Sequence, residues 1–186
     1  MQSKIRNPKS KILIIGAGPA GASAAIRLAS RGARVTLIER EKFPRQKLCG
    51  EFVSPECFAH FRELGVLDRM LGAGGEPITE TVFYAPNGKS VSVPSEWFGG
   101  GEGETAALGL SRAEMDFQLL SRAREVGAEI LEETSVAGLL VEDGRVCGVR
   151  TKNAAGAILD IDADLTVDAT GRARVLGKLA ERECQR

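Results

Sequence analysis

The chain has one histidine, one tryptophan and one tyrosine in 186 residues, and each scarcity closes off a class of function. With His60 as the sole imidazole, a self-contained Ser-His-Asp triad that does without it is excluded, and so is a His-rich metal cage. The four cysteines, Cys49, Cys57, Cys147 and Cys184, show no CxxC spacing, which argues against a zinc site or a disulfide scaffold. Charge of one sign is also missing. Lys and Arg number 25 against 25 Asp and Glu, so no excess positive field gathers nucleic acid or an anionic membrane surface. No apolar run reaches the roughly 18 residues of a membrane span. What remains is the composition of a soluble globule near the size of one ordinary domain, 43% hydrophobic and 27% charged.

A basic start (Lys4, Arg6, Lys9, Lys11) followed by residues 12–26 imitates a secretory signal, but Gly16, Gly18, Pro19 and Gly21 interrupt it, and the expected location is cytoplasmic. Residues 11–15 are apolar on both faces, the pattern of a strand covered by helices on both sides of a parallel sheet. Residues 19–30 are alanine-rich and stop at Arg31-Gly32, a helix end, and residues 34–38 read as a second buried strand. A strand, helix and strand of this length form one right-handed βαβ unit. Residues 40–53 read as a charged loop, and a helix from Ser54 places Cys57, Phe58, Phe61 and Leu64 on one face before Gly65. Residues 81–94 are two alternating strands joined at Asn87-Gly88, and the glycine-rich residues 95–104 are a loop. Ser111-Arg112-Ala113-Glu114 is a capping box opening a helix over 112–126. A short strand at 128–131 and a three-stranded meander over 134–162, turning at Asp143-Gly144 and near Ala155-Gly156, precede a last strand at 165–167.

Gly16-Ala17-Gly18-Pro19-Ala20-Gly21 fits G-x-G-x-x-G between the first strand and the first helix. Gly16 serves the tight turn, Gly18 the approach of a pyrophosphate, and Gly21 close helix-on-strand packing, while the helix N-terminus offers free N–H groups and positive dipole. Glu39 ends the second strand 23 residues after Gly16, where a carboxylate accepts hydrogen bonds from ribose hydroxyls. These residues serve NAD and FAD alike.

Arg45-Gln46-Lys47-Leu48-Cys49-Gly50-Glu51, the Ser111-Arg112 helix start and Asp168-Ala169-Thr170-Gly171 extend the pattern. Taken with the glycine motif and Glu39, in that order along nearly the whole chain, the sequence resembles the flavoprotein hydroxylase and geranylgeranyl reductase group. The fold this resemblance implies is α/β: a glutathione-reductase-type Rossmann FAD-binding fold with an inserted β-meander and part of an antiparallel substrate-side sheet. It would occupy 1–186 as an N-terminal portion, with 79–107 contributing to the substrate side. The cofactor implied is FAD, with NAD(P)H as a candidate reductant and a small apolar or aromatic substrate.

By the same resemblance Glu39 would hold the adenosine ribose with Arg40 beside it, and Arg45 would lie near the flavin and its phosphates. Arg112 would contact the cofactor from its helix, and Asp168 to Gly171 would bring backbone close to it. Arg112 has an independent argument, because a cation in the first turn opposes the helix dipole and a nearby anion would explain it; the alternative is a solvated arginine. Gly16, Gly18, Pro19, Ala20, Gly21 and Gly50 complete the expected binding set. No catalytic residue is assigned. Cys49 is either a small packed hydrophobe or a thiol beside the flavin, and Glu51 either a flavin-side polar group or an exposed loop charge.

The family's chains continue further and carry a later Gly-Asp motif for the ribityl chain, whereas this sequence has no Gly-Asp dipeptide and closes in a helix-like pattern. The expectation is a truncated chain that lacks a C-terminal half or a complementing chain. Trp97 as sole tryptophan disfavours the halogenase branch, whose signature pairs two. Three functions stay open: the FAD-binding part of an oxidoreductase, a non-catalytic dinucleotide-binding module, and an NAD-linked dehydrogenase.

Overall fold

The computed structural model describes residues 10–48, 51–99 and 106–183. In chain order the strands and helices begin with β1 (Lys11–Ile15), α1 (Pro19–Ala29), β2 (Arg34–Ile38), β3 (Phe52–Val53), α2 (Glu56–Leu64) and α3 (Leu67–Gly72). They continue with β4 (Glu76–Ile78), β5 (Glu80–Tyr84), β6 (Ser90–Pro94), β7 (Ala107–Gly109), α4 (Arg112–Glu125) and β8 (Glu129–Leu131). Then follow β9 (Thr134–Glu142), β10 (Arg145–Asn153), β11 (Ile158–Asp162), β12 (Leu165–Asp168) and α5 (Val175–Glu183). The chain divides into two compact units, one combining the stretch up to Arg45 with that from Leu119 onward, the other formed by the intervening Gln46 to Gln118.

The first unit is built on a parallel sheet in the order β12-β1-β2-β8. Burial on both faces explains the unbroken apolar run of β1: Leu13, Ile14 and Ile15 are all buried, as are Val35, Leu37 and Ile38 of β2. Helix α1 turns Gly21, Ala22, Ala25, Ile26 and Ala29 inward, and all but Ile26 are small residues that let it lie close on the sheet. The antiparallel meander β11-β10-β9 turns at Asp143-Gly144, both in the left-handed region that a two-residue hairpin requires. Leu13, Ile15 and Ile38 of the sheet, Val149 of the meander, Ala163, and Leu176 of α5 form one buried cluster, flanked by Leu131, Val136, Leu139, Ile161 and Leu179. Helix α5 is thereby an integral wall of this core.

In the second unit β3, β7 and β4 make a small antiparallel sheet, and β5 and β6 a separate hairpin. Of the stripe expected from the sequence, Phe58, Phe61 and Leu64 of α2 are buried, together with Val66 and Met70, while Cys57 is only partly buried; Gly65 ends α2 in the left-handed conformation. Residues 40–53, read as a loop, end instead in β3, and α3, β4 and β7 had no counterpart in the sequence reading. His60 is exposed. Among the described residues no helix is long and apolar enough to cross a membrane, and no group of His, Cys, Asp and Glu is arranged to hold a metal ion.

Candidate functional site

The turn after β1 is held from two sides. Gly16, at φ +101°, donates its N–H to the Ile38 carbonyl of β2 at 2.8 Å. A Cβ there would sit 2.6 Å from the Ala169 carbonyl oxygen and 3.1 Å from the Thr170 nitrogen, so the turn after β12 occupies the space any side chain would need. A Cβ on Gly21 would run into the Gly16 carbonyl oxygen and lie 3.1 Å from the Ala169 Cβ. Both outer glycines of the motif are therefore demanded by backbone packing alone.

Gly18 is different. It caps α1 from extended backbone, with no side-chain cap hydrogen bond, Pro19 in the first turn and no acidic residue there. The first intrahelical bond runs from Ala22 N–H to the Gly18 carbonyl at 2.9 Å, so the N–H groups of Ala20 and Gly21 precede the helix's own acceptors. A Cβ on Gly18 would meet, among the described residues, only the Arg45 guanidinium at 3.9 Å. The helix N-terminus thus opens on a space bordered by a cation, the electrostatics of an anion site. The Arg45 guanidinium stacks over Phe43 at 4.8 Å from the ring centroid, and Phe43 N–H is fixed by Glu132 at 2.7 Å.

Glu39 is buried at the end of β2 and accepts the Ala17 N–H at 2.8 Å on one oxygen and the Glu41 N–H at 3.1 Å on the other. A carboxylate has about four acceptor directions, so both oxygens keep capacity for hydroxyl donors. Arg40 is exposed, its guanidinium 3.2 Å from Glu41.

Asp168 ends β12, but its carboxylate is directed at α5. One oxygen accepts the Thr170 N–H (3.0 Å) and hydroxyl (2.6 Å), the other the N–H groups of Leu176 (2.9 Å) and Gly177 (3.1 Å). Thr170 Oγ1 in turn accepts the Val175 N–H at 2.9 Å. Partial burial pushes the Asp168 pKa up, yet the bonds from the Thr170 hydroxyl and the three backbone N–H groups outweigh it and hold the group below its ordinary value. Gly171 follows at φ +64°, where an added Cβ would meet none of the described residues within 4 Å.

Arg112 and Glu51 belong to the second unit. Arg112 Nε donates to Asp116 Oδ1 at 2.6 Å, and Asp116 is fully buried, so the anion that the helix dipole argument calls for is present one turn along the same helix. Ser111 Oγ accepts the Glu114 N–H at 3.2 Å, as the capping box requires. Glu51 is exposed at φ +54°, its carbonyl accepting the Leu110 N–H at 3.0 Å. Cys49 and Gly50 lie outside the described residues.

The structure therefore gathers Gly16, Gly18, Pro19, Ala20, Gly21, Glu39, Arg45 and the turn from Asp168 to Gly171 in one unit. Sequence reasoning missed Ala169 as the wedge against the glycines, Ala17 as the donor to Glu39, and the Asp168–Thr170 cap of α5. Asp116 was findable, being four residues after Arg112 in a helix. A cavity of about 570 Å³ lined by Lys11, Arg34, Cys147, Asp162 and Asp164 opens at the amino ends of β1 and β2, the opposite end from the glycine turn. In open α/β sheets ligands bind beyond the carboxyl ends of the strands, and that is where the glycine turn, Glu39 and Asp168 lie.

Comparison with known proteins matches residues 9–182 to the FAD binding domain family. The chain is 31% identical over 173 residues to a digeranylgeranylglycerophospholipid reductase of Methanosarcina mazei, a match covering 92% of this chain and 40% of that protein. It is also 31% identical over 183 residues to a menaquinone reductase of Mycolicibacterium smegmatis, covering 95% of this chain and 42% of the relative. Among solved structures, the myxobacterial chondrochloren halogenase, a FAD-dependent halogenase, superposes with a TM-score of 0.77 at 31% identity, covering 86% of this chain and 37% of the other. The chain spans about 40% of the length of the curated relatives it matches. A halogenase stands as near as the reductases, so the sole Trp97 does not separate the chain from that branch.

Proposed function

We propose, because this chain belongs to the FAD binding domain family, that it forms the FAD-binding part of a flavin-dependent oxidoreductase. The observation that carries this reading is the open approach at Gly18, where an uncapped helix N-terminus faces the Arg45 guanidinium. The FAD pyrophosphate would lie along residues 16–21 on the N–H groups of Ala20 and Gly21, with Pro19 setting the helix start and Arg45 adding positive charge. Glu39 would accept hydrogen bonds from the adenosine ribose, and Arg40 would lie at the rim of that site. The backbone from Asp168 to Gly171 would border the cofactor from β12. On the sequence resemblance, Arg112 and Glu51 would also serve the cofactor, and residues 79–107 would contribute to the substrate side.

Bound FAD supplies hydride and electron transfer between a reductant and a substrate or oxygen. NAD(P)H is the proposed reductant. The substrate would be an apolar or aromatic small molecule rather than a macromolecule, in keeping with the lipid and the quinone for which the two reductases are named. The purified protein should be yellow, and FAD titration followed by flavin fluorescence should show saturable binding that Gly18→Val abolishes. Binding of FAD to the variant with unchanged affinity would refute the site, since valine would fill the pyrophosphate approach.

A further inference from the structure

The turn that the glycine motif packs against is itself pinned by a helix. Ala169 lies between two restraints: its N–H donates to the Ile15 carbonyl of β1 at 2.8 Å, and its carbonyl and Cβ fill the places where side chains at Gly16 and Gly21 would stand. On its amino side, Asp168 is locked by four hydrogen bonds. Two of them come from the first turn of α5, and a third N–H of that turn, from Val175, goes to Thr170 Oγ1. The first intrahelical bond of α5 is Lys178 N–H to the Arg174 carbonyl at 2.9 Å. Asp168 and Thr170 therefore satisfy the N–H groups that precede it, acting as a cap from several residues upstream. The helix is anchored at its other face by Leu176, buried in the core cluster, and by Leu179.

The contact chain is continuous: α5, the Asp168–Thr170 cap, Ala169, then Gly16 and Gly21. We propose that Asp168 is a positioning residue that couples the docking of α5 to the geometry of the pyrophosphate turn, so that FAD binding and α5 order reinforce one another without Asp168 touching the cofactor. The proposal rests on the pyrophosphate site given above. The physical reason is that Ala169 has no slack. Its carbonyl stands where a Gly16 side chain would be, so releasing the cap lets the β12 turn move, and the Gly16 turn must move with it. Coupling of this kind is reciprocal: whatever FAD gains from an ordered α5, α5 gains from bound FAD.

The test measures two quantities in the intact chain, FAD affinity by flavin fluorescence and amide hydrogen exchange of α5 with and without FAD. In the parent protein FAD should slow exchange in residues 175–183. Asp168→Ala should speed α5 exchange in the FAD-free protein, weaken FAD about tenfold, within the span usual for coupled sites, and remove most of the FAD-dependent protection of α5. Exchange of β1 and β2 amides serves as the check on global stability. If Asp168→Ala does not fold, Thr170→Val removes both bonds of the hydroxyl, from Val175 N–H and to Asp168, while leaving the Thr170, Leu176 and Gly177 N–H groups on the carboxylate, and should show the same pattern at smaller size. Wild-type FAD affinity alongside a deprotected α5 would overturn the coupling. Lost FAD affinity with α5 exchange unchanged in the FAD-free protein would also overturn it, and would make Asp168 a direct contact instead. Gly18→Val keeps the two readings apart: unchanged affinity there sinks the pyrophosphate site, while the Asp168 comparison still decides the coupling by itself.

Discussion

Replacing Gly21 by alanine should destabilise the protein, although the same change in an ordinary helix does the reverse. Alanine in a helix interior is favoured over glycine by about 1 kcal/mol. At position 21, in the first turn of α1, the new Cβ would overlap the carbonyl oxygen of Gly16 and press on the Ala169 Cβ at 3.1 Å. Neither obstacle is a flexible side chain end. The Gly16 backbone is held at φ +101° with its N–H on Ile38, and Ala169 is held on Ile15. Relief requires α1 to lift from the sheet, loosening Ala22, Ala25 and Ile26, which are all buried. Overpacking costs about 1 to 3 kcal/mol, and a backbone obstacle belongs at the upper end, so after the gain in propensity a net loss of about 2 kcal/mol is expected. Gly18→Ala is the matched control. Its Cβ meets only the Arg45 guanidinium at 3.9 Å, an ordinary contact, and its backbone is extended, so its stability should change by less than about 1 kcal/mol. Urea unfolding of the FAD-free proteins compares the two. A Gly21→Ala protein as stable as the parent would refute the packing argument, because it would mean that the glycine turn yields without cost.

Glu39→Ala should lose both FAD affinity and stability, about 1 to 3 kcal/mol of the latter because the Ala17 N–H is left without its 2.8 Å acceptor, whereas Glu39→Gln, retaining one acceptor oxygen, should lose less of each in thermal melts and titrations. Asp168 has a folded pKa below its unfolded value, so its stabilising contribution is complete above the unfolded value of about 3.9 and disappears as pH falls through the folded value; urea unfolding of the parent and of Asp168→Asn should converge at acid pH, and parallel curves would refute this. Asp116→Ala leaves the largely buried Arg112 guanidinium without its Oδ1 acceptor and should cost about 3 kcal/mol or more by chemical denaturation, while a cost near zero would show the pair to be solvated. Arg112→Ala distinguishes an arginine held for Asp116 from one that also contacts FAD: the second case weakens FAD roughly tenfold, the first leaves the titration unchanged.

The parts of the fold that were legible are those in which local chemistry and tertiary role coincide. Residues 11–38 announce themselves because β1 and β2 are buried on both faces and the three glycines stand between a strand and a helix. The hairpins at Asn87-Gly88 and Asp143-Gly144 were legible because residues that accept the left-handed conformation, taken up here by Gly88, Asp143 and Gly144, carry their own signal. Strands β3, β4 and β7 were not, being two or three residues long, too short for an alternation of period two to be seen. The cap of α5 was hidden for another reason. Sequence rules seek a capping oxygen directly before the first helical turn, and here Asp168 reaches Leu176 and Gly177 across a 3-10 turn. At Arg112 the anion that offsets a cation in the first helical turn includes Asp116 of the same helix, a partner four residues on that the sequence reading did not name.

The distribution of roles within the first unit also explains why reductases and a halogenase are comparably similar to it. Gly16 and Gly21 are demanded by the chain's own packing, since a Cβ at Gly16 would collide with the Ala169 carbonyl and one at Gly21 with the Gly16 carbonyl. At the carboxyl ends of β1 and β2 the unit sets a helix N-terminus, the guanidinium of Arg45 and the buried carboxylate of Glu39. Those groups match a pyrophosphate and a ribose, chemical parts that stay the same whether the flavin at the other end of the molecule delivers hydride or activates oxygen. On the proposed reading this unit holds the dinucleotide, and the identity of the reaction is left to whatever surrounds the isoalloxazine. A substitution at Gly18 or Glu39 should consequently impair any chemistry by the same factor as it impairs FAD affinity, leaving the ratio between reduction of substrate and reduction of oxygen unchanged at saturating FAD. A shift in that ratio would mean that the pyrophosphate end of the site also shapes the reacting end.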